Sequence, residues 1–147
     1  MRAALDTNIL AYAEGVDDPS RQKSAQALVA RLDPLLTVIP VQVLGELFSV
    51  LTRKGLSRDV ARQVILSWEE NGELAPTTTD VFTAAVVLAL RHKMQIWDCV
   101  ILSAAADAGC ALLLSEDMGH GSTFAGVTVI NPFLPTPHPL LRTLLQS

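Results

Sequence analysis

Four acidic residues, Asp6, Glu46, Asp98 and Asp117, stand at or beside the ends of apolar segments. A carboxylate in such a place is costly unless something compensates its charge. Brought together, the four would raise one another's pKa until a cation neutralised them. Their oxygens suit a hard divalent ion, Mg2+ or Mn2+. Such an ion beside a phosphate can orient and activate water and stabilise developing charge, which is phosphodiester chemistry. Asn8 and Ser115 are candidates for positioning water, with turn support as their ordinary alternative. Each acid also has an ordinary role open to it. Asp6 can cap a turn through Thr7 and Asn8, Glu46 can be a helix-edge residue, Asp98 an N-cap, and Asp117 part of the turn leading to Gly119 and Gly121.

The elements that must position these acids alternate between short apolar runs and amphipathic stretches. Strands are expected at Ala3-Ala4-Leu5, Leu36 to Ile39, Glu73-Leu74-Ala75, Ala111 to Leu114 and Gly126 to Ile130. Asp18-Pro19 reads as the cap and first residue of a helix that Asp33-Pro34 ends. A helix follows from about Val41 to Lys54, with Gly55 beyond it, Glu46 at the edge of its apolar face, and Ser57 capping the next. The buried side of that next helix is expected to be Val60, Ala61, Val64, Ile65 and Trp68. Two more helices are expected, one from Thr79 or Asp80 to about Lys93 and one from Cys99 to Ala108, opened by Trp97-Asp98. The pattern predicts an α/β domain with a parallel sheet covered on both faces. Ligands in such sheets lie beyond the carboxyl ends of the strands. Asp6 and Asp117 follow proposed strands and share that edge, whereas topology fixes Asp98 less firmly.

The 147 residues suit one domain, and half of them are hydrophobic, with a mean hydropathy of +0.36. The longest apolar run, Ala84 to Leu90, falls far short of the ~20 residues of a spanning helix. The opening residues lack the apolar core of a secretory leader, so a cytoplasmic protein without membrane contact is expected. Cys99 and Cys110 lack CxxC spacing and are expected to be buried free thiols, and three scattered histidines give no zinc signature. The net charge of −4 does not itself favour nucleic acid. Two local clusters point the other way: Arg53, Lys54, Arg58 and Arg62, and Arg91, His92 and Lys93. Helix ends complemented by cations are their ordinary alternative. A boundary is expected at residue 133. Residues 134–147 form a Pro-rich tail whose Leu140, Leu141, Leu144 and Leu145 either pack on the domain or meet a partner.

Several of these segments together carry a family likeness. Asp6-Thr7-Asn8-Ile9-Leu10 resembles the opening motif of PIN-domain nucleases, in particular VapC-type toxins. Val43-Leu44-Gly45-Glu46-Leu47 resembles their second acidic motif, Trp97-Asp98-Cys99-Val100-Ile101-Leu102 their third, and Ser115-Glu116-Asp117 their last. Gly119-His120-Gly121 and Asn131-Pro132-Phe133 resemble features of one branch of the family. The resemblance spans about residues 3 to 133 and implies a five-stranded parallel sheet in a three-layer sandwich, usually as a homodimer. It implies divalent-metal-dependent cleavage of single-stranded regions of RNA, with Asp6, Glu46, Asp98 and Asp117 as the acidic quartet. It also implies a small antitoxin protein that occludes the cleft. Glu116 is an extra carboxylate beside the last motif and ranks below Asp117. Arg53 and Lys54, about two turns beyond Glu46, are candidates for holding the RNA backbone.

Two other readings belong to different classes. A Mg2+-binding phosphoacceptor or regulatory domain also places acids at strand ends, but it usually has an adjacent acidic pair after the first strand and a later Lys. Here one acid follows the first strand, and no Lys occurs after Lys93. A non-catalytic interaction module with a PIN-like fold is the second, and the complete quartet argues against it.

Overall fold

The computed structural model describes residues 1–146. Ala3–Leu5 forms strand β1 and Thr37–Pro40 forms β2, and every residue of both is buried. Apart from Thr37 both are apolar on both faces, as a sheet covered by helices on each side requires. Glu73–Ala75 is β3, Leu112–Leu114 is β4 and Val127–Ile130 is β6. These five are the expected strands, and they pair in parallel. A sixth, β5 at Thr123–Phe124, pairs antiparallel to β6 and was not anticipated. The order is β3-β2-β1-β4-β6-β5. The chain winds outward from β1 through β2 to β3, then returns to the other side of β1 for β4. The switch point therefore lies between β1 and β4, where Leu5 pairs with Leu114.

Among the described residues the seven helices are α1 (Thr7–Ala13), α2 (Pro19–Arg31), α3 (Val41–Arg53), α4 (Arg58–Glu69), α5 (Thr79–His92), α6 (Ile96–Asp107) and α7 (Pro139–Gln146). Helix α1 is the main departure from the expected pattern, which has no helix between the first strand and Asp18. Asp6 caps it by accepting the Thr7 N–H, and Ile9, Leu10, Ala11 and Ala13 are buried. Helix α2 opens at Asp18, which accepts the N–H groups of Ser20 and Arg21, and Pro19 takes the first helical position. The second strand starts one residue later than expected, because Pro34–Leu36 forms a single 3-10 turn capped by Asp33. Ser57 caps α4 as expected, accepting from Val60 N–H. Ala61 and Trp68 of α4 are buried, but Val60, in its first turn, is 46% exposed. Gly72 is required before β3: a Cβ there would stand 2.8 Å from the Thr37 carbonyl oxygen.

Helix α6 is buried from Cys99 through Ala105 and lies against β2, β3, β4 and β6. A helix that is apolar nearly all round belongs inside a protein, and α5 covers its outer side. Helix α1 packs on α2 and α3, and α3 packs on α4. Leu5, Ile9, Leu47, Ile101 and Leu113 are among the fully buried side chains of one cluster, each contributing about 1.5–3 kcal/mol by leaving water. Leu141 and Leu144 of α7 join the same cluster. Cys99 and Cys110 are free and buried. Among the described residues no helix is long and apolar enough to cross a membrane.

Candidate active site

The switch point delivers two acids to one place. β1 ends at Leu5, so Asp6 stands at its carboxyl end. Next to it, β4 ends at Leu114 and leads into Ser115, Glu116 and Asp117. Asp6 N–H donates to the Leu114 carbonyl at 3.0 Å, which locks the two strand ends together. Glu46 arrives on α3. Asp98 arrives in the first turn of α6, where Gln95 is the cap and accepts the Asp98 N–H at 3.0 Å. Asp98 is therefore not an N-cap, and its carboxylate is free for other work. Asp6, Glu46, Asp98 and Asp117 all line one cavity of about 270 Å³, with Thr7, Asn8 and Asp17 among its other walls. The two largest of the cavities described, about 400 Å³ between α5 and α6 and about 500 Å³ between α3 and α4, have mainly apolar linings and gather no comparable set of acids.

A short polar network fixes the quartet. Ser115 hydroxyl donates to Asp6 Oδ2 at 2.7 Å and lies 3.2 Å from Asp117 Oδ1. It has one proton, and the shorter contact takes it. Asn8 Nδ2 lies 3.2 Å from Asp117 Oδ1 and 3.4 Å from Asp6 Oδ2, while Asn8 Oδ1 accepts the Glu116 N–H at 3.2 Å. Thr7 hydroxyl donates to Glu46 Oε2 at 2.6 Å, and Gln42 Nε2 reaches Glu46 Oε1 at 3.3 Å.

Asp6 is only 4% exposed. Burial pushes its carboxyl up to about 7, the Ser115 and Thr7 hydrogen bonds oppose the rise, and the charges of Asp117 and Asp98 add to it. Asp98 is also raised, first by burial and then by Asp117 and Glu46. The acids thus repel one another across a small space. Among the described residues, no three Asp, Glu, His or Cys side chains stand in an arrangement that would hold an ion directly. The donor set nevertheless fits a hard divalent ion: all the oxygens are carboxylate, and a positive charge would relieve the strain at Asp6. Mg2+ usually keeps several of its waters, so carboxylates spaced around a cavity suit it.

Glu116 faces elsewhere. Its carboxylate accepts from Tyr12 Oη and Arg21 Nε, both at 2.7 Å. Arg21 lies over the Phe133 ring at 4.9 Å, and Tyr12 meets that ring edge-on at 5.6 Å. The Glu116 hydrogen bond raises the Tyr12 phenol to about 12. The two branch-specific segments also meet, since His120 Nδ1 accepts the Asn131 N–H at 2.9 Å. Lys54, a candidate for RNA contact, is committed to Asp17 at 2.6 Å. Asp17 was missed in the sequence: it adopts φ 67 and adds a fifth carboxylate to the cavity wall. Thr7, Gln95, Tyr12 and Arg21 were also missed as supports. For Thr7, its place beside Asp6 was the available signal; Tyr12 and Arg21 gave none, because their partner lies about a hundred residues away.

No curated protein sequence matches the chain. The fold is similar to that of VapC20 from Mycobacterium tuberculosis, described as a sarcin-ricin loop cleaving toxin. The TM-score is 0.68 at 20% identity, covering 79% of this chain and 90% of that one. It is also similar to a chain of a toxin-antitoxin complex from Klebsiella pneumoniae, with a TM-score of 0.67 at 18% identity over 89% of this chain and 98% of that one. A third likeness is to a chain of VapBC2 from Rickettsia felis bound to a DNA fragment from its promoter. There the TM-score is 0.63 at 16% identity, covering 88% and 97% of the two chains. At these identities the likeness is one of fold. The PIN domain family model, however, matches residues 3–122, the stretch that carries all four acids. The chain belongs to the PIN domain family, whose members are typically nucleases and commonly use a divalent metal.

Proposed function

We propose that this protein is a divalent-metal-dependent endoribonuclease and the toxin of a toxin–antitoxin pair. The observation that carries this reading is the convergence of Asp6, Glu46, Asp98 and Asp117, from four separate segments, on one cavity at the switch point of the sheet. Those four residues would hold Mg2+ or Mn2+. Bound there, the ion would supply Lewis-acid stabilisation of phosphate charge and activation of water.

The chain's own residues do the rest. Thr7 fixes one oxygen of Glu46, and Ser115 and Asn8 hold Asp6 and Asp117 in a common orientation. Glu116, anchored by Arg21 and Tyr12, sets the position of the Ser115–Asp117 segment. In the reaction, water adds to phosphorus, one P–O ester bond breaks, and the departing oxygen takes a proton. The nuclease machinery lies within residues 1–133. The Pro-rich tail begins at residue 134, and its Leu141 and Leu144 help close the core; its last residue, 147, lies outside the described residues.

A small antitoxin protein as partner is supported by the toxin–antitoxin complexes among the structural neighbours. A homodimer in the cytoplasm completes the proposal. The purified protein will cleave single-stranded RNA with Mn2+, stop when chelator is added, and lose cleavage in Asp6→Asn. Undiminished cleavage by that variant overturns the reading.

A further inference from the structure

We propose that the exposed face of α3 from Gln42 to Arg53 is a track for the backbone of single-stranded RNA, with Arg53 holding a phosphate away from the scissile bond. This rests on the nuclease reading above and names how that site engages its substrate. A second groove of about 330 Å³ shares Thr7, Glu46 and Val50 with the acid cavity, then runs on past Gly45 and Ser49 to Arg53. Glu46 and Arg53 are seven residues apart on one helix, so they lie on the same face about 10 Å apart along the axis. The groove therefore leads directly from the quartet to a cation.

Arg53 is the cation in reach that remains uncommitted. Arg21 is paired with Glu116 and Lys54 with Asp17, and Arg53 has no ion pair among the described residues. Its Nε donates to the Ser49 carbonyl at 3.3 Å, which lays the side chain along the groove and leaves its other N–H groups free. Guanidinium presents those groups as a planar fork suited to phosphate. A polyanion approaching five carboxylates needs such a counter-charge nearby.

Gly45 leaves the helix surface bare beside Glu46, at the border of this groove and of the cavity between α3 and α4. A glycine inside a helix is unfavourable, and packing does not demand this one, because a Cβ on it would meet nothing within 4 Å. Its bare backbone instead forms the open floor where the groove passes Glu46.

The test is binding of a short fluorescent single-stranded RNA by anisotropy, in Mg2+ and over a range of salt. The background is Asp6→Asn, which keeps the RNA intact. Adding Arg53→Ala is expected to weaken binding about tenfold. It should also lower the slope of log K against log salt by ~0.7, the share of one single-strand phosphate. Arg53→Lys should keep the slope and part of the affinity. Gly45→Glu, which places bulk and negative charge on the track, should weaken binding at least as much as Arg53→Ala while leaving the circular dichroism spectrum unchanged. Arg31→Ala, near the start of β1 and so at the opposite edge of the sheet, should bind as the background does. Unchanged affinity and slope in Arg53→Ala overturn the track, even if wild type cleaves RNA. Failure of wild type to cleave RNA with Mn2+ overturns the nuclease reading instead, and RNA binding that still depends on Arg53 leaves the track standing.

Discussion

Raising the pH of the metal-free protein will lower its stability through Asp6, and Asp6→Asn will remove that loss. The Asp6 carboxyl rises from 3.8 to about 7 on folding, mainly because it is buried. Between those values the folded chain keeps a proton that the unfolded chain has released, so stability falls as pH rises. Below about pH 4 both states are protonated and Asp6 costs nothing. Above about pH 7 both are ionised and the full penalty stands. A rise from 3.8 to about 7, at roughly 1.36 kcal/mol per pH unit, gives about 4 kcal/mol, a large part of the ~5–15 kcal/mol that holds a typical domain together. With a urea m-value near 2 kcal/mol/M, that is a midpoint shift of about 2 M. The assay is urea unfolding in chelator at several pH values from about 4.5 to 8, on wild type and Asp6→Asn. The midpoint of the variant should exceed that of wild type increasingly as pH rises. Asp98, raised in the same direction, adds to the fall in both proteins. Parallel midpoints across the whole range would refute the claim that folding forces a buried charge on Asp6.

Other expectations follow from the same contacts. Mn2+ should raise the wild-type melting temperature more at about pH 8 than at about pH 5, because only ionised acids gain from it; equal shifts would count against the quartet as its binding site. Glu116→Ala should cost about 1 kcal/mol in urea unfolding, since its ion pair is partly exposed, and should lower the RNA cleavage rate by releasing the Asp117 segment. Gly45→Ala should stabilise the fold by about 1 kcal/mol in the same measurement. Leu47→Ala, fully buried behind Glu46 on α3, should destabilise by about 2–5 kcal/mol.

What the sequence disclosed was set by range. Strands β1 and β4 were legible because their residues are apolar without interruption, β2 because it is short and β-branched, and α3 because its apolar positions follow the helical period up to Gly55. Asp6 and Asp117 could be placed by topology, since both follow strands. Helix α1 was hidden because Asp-Thr-Asn reads equally as a turn; burial of Ile9 and Leu10 tips it to helix. β5 was hidden because its hairpin turn uses Ala125 at φ 50 before Gly126 at φ 81, where Asn-Gly would have advertised it. Asp98 looked like a cap, and only the Gln95 side chain, three residues earlier, frees it from that role. Glu116 read as an extra carboxylate beside the last acidic motif, ranked below Asp117. Its partner Arg21 lies 95 residues away, a contact that no local pattern encodes.

The central claim is that four distant carboxylates act as one cation site. Isothermal calorimetry of Mn2+ binding to wild type, Asp6→Asn and Asp117→Asn in the absence of RNA tests it most directly. Wild type should show saturable binding, and each variant should lose most of it. No binding to wild type, or binding that both variants retain undiminished, would contradict the account.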